Sequence, residues 1–292
     1  MIDGIVPTIT SITSSTIDGT YKLGDNISVR INFSEAITLT GTMGINLNSG
    51  GVCVISGFTG TSANGTYTVL AGHNSLDLTA TSIAISGTAR DGALNDLVLT
   101  LPVSNIATGS NILIDTVAPT ITSITSTKPN GSYTIGTIIG IRVNFSEPIT
   151  VTTSLGITLD TGGLVTIAGF SGTSALGTYT VLAGQNSLDL TANNVAVTGT
   201  ASDGSSNDLV LTLPLTNIAT GSDILIDTIV PTITSIVSST PNGIYTVGAN
   251  ISITLNFSES ISLTGTMGVN LDSGGIMVIN AFSGTTTTGV YT

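Results

Sequence analysis

The sequence is poor in the residues from which most catalytic and nucleic-acid-binding sites are built. It contains one histidine, one cysteine and no tryptophan, and only five of its 292 residues are lysine or arginine. Against 17 acidic residues these five leave a net charge of −12, with no basic patch to neutralise phosphates, which argues against nucleic acid and anionic lipid as partners. A single thiol, Cys53, cannot close a disulfide within the chain. No apolar run approaches the ~20 residues of a spanning helix, so membrane insertion is not expected. Charged residues make up only 8%, yet the chain does not read as disordered, because the hydrophobic content of 40% is rich in β-branched residues and sufficient for a core.

What the sequence does have is a repeat. Ile114-Asp115-Thr116-Val117-Ala118-Pro119-Thr120-Ile121-Thr122-Ser123-Ile124 returns as Ile226-Asp227-Thr228-Ile229-Val230-Pro231-Thr232, and an earlier copy begins at Ile2-Asp3. Asp3, Asp115 and Asp227 stand 112 residues apart, as do Tyr21, Tyr133 and Tyr245, and Glu35, Glu147 and Glu259. A period of this length marks whole domains, each large enough to bury its own core. The expected borders are 1–114, 115–226 and 227–292, the last covering 66 of the 112 positions. The phase of the repeat at both ends predicts a segment of a longer array that starts upstream of Met1, and no signal peptide is recognisable. Cys53 aligns with Val165 and Met277, which identifies a buried apolar position and no thiol nucleophile.

Each repeat reads as all-β. Ile27, Val29, Ile31 and Phe33 alternate with Asn26, Ser28, Arg30 and Asn32, the period-two pattern of a strand with one buried face. The same positions carry Ile139, Ile141, Val143 and Phe145, and then Ile251, Ile253, Leu255 and Phe257. Further strands are expected at Thr8–Thr13, Ile45–Leu47, Val52–Phe58, Thr66–Leu70, Leu76–Leu78, Ile83–Ile85, Leu97–Leu101 and Ile112–Ile114, separated by turn signals such as Asn64-Gly65 and Asp91-Gly92. Seven or more short strands in ~110 residues predict a two-sheet sandwich of immunoglobulin type. The proline-containing linker Asp115–Pro119 has no glycine, so a semi-rigid joint and a rod-like chain are expected.

The junction Asp115-Thr116-Val117-Ala118-Pro119-Thr120, the turn Asn130-Gly131-Ser132-Tyr133-Thr134-Ile135-Gly136 and the strand end Asn144-Phe145-Ser146-Glu147 resemble tandem immunoglobulin-like repeats of large bacterial surface and secreted adhesin-type proteins. So do Tyr179-Thr180-Val181-Leu182-Ala183-Gly184, Ser187-Leu188-Asp189-Leu190 and Asp203-Gly204-Ser205-Ser206-Asn207-Asp208. The resemblance spans the whole chain. It implies a sandwich fold, an extender role, an extracellular or cell-surface location, and arrays stiffened by calcium near their joints.

Acidic residues that recur in register are the candidate site. Calcium takes 6–8 oxygen ligands, which loop carboxylates and carbonyls supply. Asp115 and Glu147, with linker carbonyls, are expected to help hold Ca²⁺ at the first joint, and Asp203, Asn207 and Asp208, in a Gly-containing loop, are further candidate ligands. Asp91, Asn95 and Asp96 would serve in the same way if their loop reaches that end of the first repeat, and Asp227 and Glu259 are the third copy. The competing reading makes these residues turn and cap acceptors only.

No catalytic set recurs. His73 aligns with Gln185, so it reads as a turn residue, and Lys22 and Lys128 do not align, which argues against one isopeptide crosslink per domain. The expected function is a non-catalytic extender or adhesin stalk, partnered by neighbouring repeats of the same chain. The alternatives are a subunit of a self-assembling filament or surface layer, with other copies as partners, and a glycan-binding module.

Overall fold

The computed structural model describes residues 4–292, and these are mostly strand. The chain divides into two compact units, Met1–Ile226 and Asp227–Thr292. The first unit holds two hydrophobic cores that share no residue. One is built from positions between Ile9 and Ile114, the other from positions between Ile121 and Ile226.

The first core is enclosed by β1 (Ile9–Thr13), β2 (Gly19–Tyr21), β3 (Asn26–Leu47), β4 (Val52–Thr68), β5 (Ala80–Arg90) and β6 (Ile112–Ile114). The strand β3 organises them. Its first half lies between β1 and β4, and its second half lies between β4 and β5, all antiparallel. A straight strand of its 22 residues would measure about 70 Å, far beyond the dimensions of a ~110-residue domain. The strand therefore bends, and the pairing with β4 slips between Asn32 and Ile37 and again between Leu39 and Thr42. Bending brings Ile27, Val29 and Ile31 from one half and Met43, Ile45 and Leu47 from the other into one core. The second repeat reproduces this with β7 (Ile121–Ser126), β8 (Gly131–Tyr133), β9 (Ile138–Leu159), β10 (Leu164–Thr180), β11 (Ala192–Thr198), β12 (Ala201–Ser202) and β13 (Ile224–Ile226).

Several sequence expectations need correction. Asn26–Glu35 and Ile45–Leu47 belong to one strand, as do Val52–Phe58 and most of Thr66–Leu70, because the bends are made by slips in register and not by turns. Asn64-Gly65 is not a turn. It sits inside β4, opposite Arg30 and Val29. The glycine is there for space, since a Cβ on Gly65 would collide with Cys53 and Ile55. One period on, a Cβ on Gly177 would collide with Val165 and Ile167, and on Gly289 with Met277 and Ile279. Leu76–Leu78 is not a strand, the only bridge beside it being Ser75 with Ile114, and Leu97–Leu101 contributes only the isolated bridge of Val98 with Thr8. Val98 and Leu99 face outward, so this apolar run buries too little to extend a ladder. Ile112–Ile114 is a strand, β6, as expected, but its parallel pairing with β2, repeated by β13 with β8, was not anticipated.

The second unit contains β14 (Ile233–Ser238), β15 (Ile251–Leu263), β16 (Met267–Asn270), β17 (Ile276–Ile279) and β18 (Phe282–Tyr291). Its core is Ile253, Leu255, Phe257, Met277 and Ile279. The stacked pair Phe257–Phe282, with centroids 5.7 Å apart, repeats Phe33–Phe58 at 5.7 Å and Phe145–Phe170 at 5.8 Å. The same packing rule thus holds in all three copies.

Gly177→Ala should lower the urea midpoint of the second repeat by the equivalent of ~1–3 kcal/mol, the usual cost of overpacking. Adding Val165→Ala should recover part of that loss. Gly204→Ala, where nothing lies within 4 Å of the added carbon, should be close to neutral. Equal effects at Gly177 and Gly204 would contradict the packing account.

Candidate cation site at the Asp115 junction

The linker between the first two repeats is held from both sides. On the side of the first repeat, Asp115 N–H donates to the Tyr21 carbonyl (2.9 Å) and Thr116 N–H to Asn74 Oδ1 (2.8 Å). Gly72 N–H donates to Thr116 Oγ1 (3.1 Å), and Ser75 and Ile114 exchange two backbone bonds of 2.8 Å. On the side of the second repeat, Asn207 Nδ2 donates to the Asp115 carbonyl (3.2 Å) and Val210 N–H to the Pro119 carbonyl (2.9 Å). Thr120 and Ser146 are also doubly bonded, at 2.9 Å each. Lys22 Nζ reaches across to the Ser206 carbonyl at 2.8 Å. A cavity of about 600 Å³ lies beside this junction, lined by Leu76, Leu113, Val117, Glu147 and Ser205 among others.

Carboxylates converge on the junction. Asp115, Glu147 and Asp203 each present an oxygen, and these oxygens lie within 4.8 Å of one another. Asp115 enters from the linker, Glu147 from the bend of β9, and Asp203 from the loop after β12. The loop is built around Asp203, which is buried. Its Oδ1 accepts from Ser205 N–H and Asn207 N–H (2.8 Å each), and its Oδ2 accepts from Asn207 Nδ2 (2.9 Å). Asp115 Oδ1 accepts from Val117 N–H (3.0 Å), and its Oδ2 accepts from Ser205 Oγ (2.7 Å). A carboxylate offers about four lone-pair sites, so both aspartates retain acceptor capacity after these bonds.

Charge is unbalanced here. Burial raises the Glu147 carboxyl above the ordinary glutamate range, and the neighbouring charges of Asp203 and Asp115 raise it further. The set offers oxygen donors only, which suits a hard cation rather than a thiophilic or imidazole-seeking one. Oxygens up to 4.8 Å apart can face each other across an ion at Ca²⁺–O distances of about 2.4 Å. The three carboxylates therefore fit a metal ion of this class. Glu259, one period beyond Glu147, keeps a buried Oε1 with no hydrogen-bond partner.

The other predicted ligands fall elsewhere. Asn207 braces Asp203 and the linker carbonyl, and Asp208 is exposed and bridges to Ser202 through the backbone. Asp91 and Asn95 form the matching loop of the first repeat. That loop faces Ile5, because Asn95 Nδ2 donates to the Ile5 carbonyl (3.1 Å), so it lies at the start of that repeat and not at Asp115. Burial would raise the Asp91 carboxyl, but bonds from Asn95 and from the Asn95, Ala93 and Leu94 backbone hold it below the usual range. Asp96 pairs with Arg90 at 2.6 Å. Asp227 Oδ1 accepts from Ile229 N–H (2.9 Å), as Asp115 does from Val117. Asp3, the first-repeat equivalent of Asp115, lies outside the described residues.

His73 is a turn residue. Its Nδ1 accepts from Leu70 N–H (3.2 Å) and lies 2.9 Å from Tyr67 Oη, the two bonds that Gln185 Oε1 makes with Leu182 and Tyr179. Sequence reasoning missed that the Asp203 loop joins Asp115 and Glu147. It also missed the Lys22 bridge, which has no counterpart in the other repeats to announce it. Comparison with known proteins finds no matching family model and no matching curated protein.

A carboxyl whose pKa is raised by folding favours the folded state at low pH and loses that advantage as pH rises through its folded value. In metal-free buffer, Glu147→Gln should therefore raise the melting temperature of the second repeat at pH 7. The gain over wild type should shrink as pH falls toward the ordinary glutamate range of ~4.3. Calorimetry across that window checks both the sign and the slope.

Proposed function

We propose that this chain is a non-catalytic extender segment of a cell-surface or secreted repeat protein, a stalk of immunoglobulin-like sandwiches copied head to tail. The observation that carries this reading is the junction. Two separately cored repeats, related by a shift of 112 residues, are joined with no slack and hydrogen-bonded to one linker from both sides. A short clamped linker passes tension from one sandwich to the next without a flexible spacer. The residues that recur in register serve packing, turns and this joint. The only histidine braces a turn, which leaves no general base of that type.

Calcium at the joint is part of the proposal. Asp115, Glu147 and Asp203 would hold it, with carbonyls and water completing the shell. One aspartate comes from the linker and two acids from the second repeat, so the ion would relieve their repulsion and tie linker to domain. If the ion binds the folded repeat alone, free Ca²⁺ at 100 times Kd should stabilise the second repeat by about 2.7 kcal/mol. Glu147→Gln should abolish most of this gain. Calorimetry in Ca²⁺ against EDTA, with metal analysis of the purified chain, checks both statements. No calcium uptake and identical melting would leave the joint as hydrogen bonds alone.

Force spectroscopy on the full chain tests the extender reading. Each complete repeat should unfold as one event that releases roughly 370–400 Å of chain, less the folded length, as expected for 112 residues at ~3.3–3.6 Å each. Two such events of equal length are expected. A single event spanning both repeats, or gradual extension at low force, would contradict it.

A further inference from the structure

We infer that the turn carrying His73 is a pH-sensitive catch on the linker. A proton taken up by the imidazole loosens the first repeat's hold on Thr116, while the matching turn of the second repeat stays closed. The turn follows β4. His73 N–H donates to the Leu70 carbonyl (3.1 Å), and His73 Nδ1 accepts from Leu70 N–H (3.2 Å). The same Nδ1 lies 2.9 Å from Tyr67 Oη, and the two rings stack with centroids 5.7 Å apart. Tyr67 is buried, and Ser49 Oγ, buried as well, donates to its hydroxyl (2.9 Å), which directs the Tyr67 proton at His73. Two donors therefore converge on Nδ1, so the neutral ring carries its hydrogen on Nε2.

What this turn holds is the linker. Gly72 N–H donates to Thr116 Oγ1 (3.1 Å), Thr116 N–H donates to Asn74 Oδ1 (2.8 Å), and Ser75 exchanges its two backbone bonds with Ile114. The second repeat builds the same turn without an ionisable group. Gln185 N–H donates to the Leu182 carbonyl (3.2 Å), and Gln185 Oε1 accepts from Leu182 N–H and Tyr179 Oη (2.9 Å each). An amide oxygen takes up no proton between pH 5 and 8, the range in which histidine changes charge. In His73 the added proton goes to Nδ1, which turns the shared acceptor into a donor facing Leu70 N–H. The bonded form is the neutral one, so the turn is closed at high pH and released as pH falls.

The surroundings offer the imidazolium no compensation. Burial pushes the Tyr67 hydroxyl above the ordinary tyrosine range, so it stays a donor. β4 and the turn at residues 48–51 contribute no charged side chain. The connection 69–79 contributes Asp77, the turn at 22–25 contributes Lys22 and Asp25, and the linker contributes Asp115. Among the described residues no carboxylate oxygen lies within 4.0 Å of the His73 ring nitrogens. The inference rests on the geometry of the turn and stands whether or not the junction binds calcium.

Solvent exchange of backbone amides, followed by NMR on the full 292-residue chain from pH 8 to pH 5, tests the catch with the second repeat as internal reference. Protection of Leu70 relative to Leu182 should fall by roughly tenfold across that window, the scale of one lost hydrogen bond. The Thr116 amide should lose protection over the same window in wild type and keep it in His73→Gln, the variant that copies the second repeat. Glu147 is present in both chains, so the difference between them reports His73 alone. Three results would overturn the inference. They are a constant ratio of Leu70 to Leu182 protection down to pH 5, a fall that persists unchanged in His73→Gln, or opening at Leu70 while Thr116 keeps its protection.

Discussion

The peptide of Asp115 is the point on which the first unit turns. Its N–H is given to Tyr21 of one repeat, and its carbonyl receives Asn207 of the next. The donor and acceptor belong to repeats whose cores share no residue, so the two bonds together fix the length of the linker at this junction. Pro119 contributes by limiting the backbone of Ala118, and its own carbonyl is taken up by Val210.

The same geometry explains why charge gathers there. The loop that supplies Asn207 is folded around Asp203, and the linker turn is folded around Asp115, so each carboxylate is needed where it stands by its own local hydrogen bonds. Holding the linker against the loop forces the two together, and the bend of β9 adds Glu147. Lys22, the cation supplied by the first repeat, spends its bond on the Ser206 carbonyl and not on a carboxylate. Repulsion is therefore a by-product of holding the linker tightly against the loop.

Much of the fold was legible in the sequence because burial writes itself in alternation. Ile27, Val29 and Ile31 face the core and their neighbours face out, as expected from period two. The merging of strands was not legible, since a slip in register at Asn32–Ile37 leaves no turn residue behind. Gly65 misled for a physical reason. Its local signal, Asn-Gly, is that of a turn, but its role is set by Cys53 and Ile55 on the same sheet, far away in sequence. Of the site, Asp115 and Glu147 could be placed at the joint because both border a strand or linker of known phase. Asp203 could not, because where a loop lands depends on tertiary packing that periodicity does not encode.

Comparison between repeats separates what the fold demands from what it merely permits. Outward positions drift, so Arg30 and Arg142 give way to Thr254, and Ser28 to Gly140 and then Ser252. Polar residues that persist each complete a bond inside their own repeat: Asn32 to Ser11, Asn144 to Ser123 and Asn256 to Ser235, all near 2.8 Å. Asn105 and Asn217 likewise cap the short helical turns that carry Ile106 and Ile218 into the cores. The junction acids follow the same rule, since Asp203 closes its own loop and Asp115 its own turn. What distinguishes them is that their oxygens also converge with that of Glu147 where one repeat meets the next, and this proximity serves neither core.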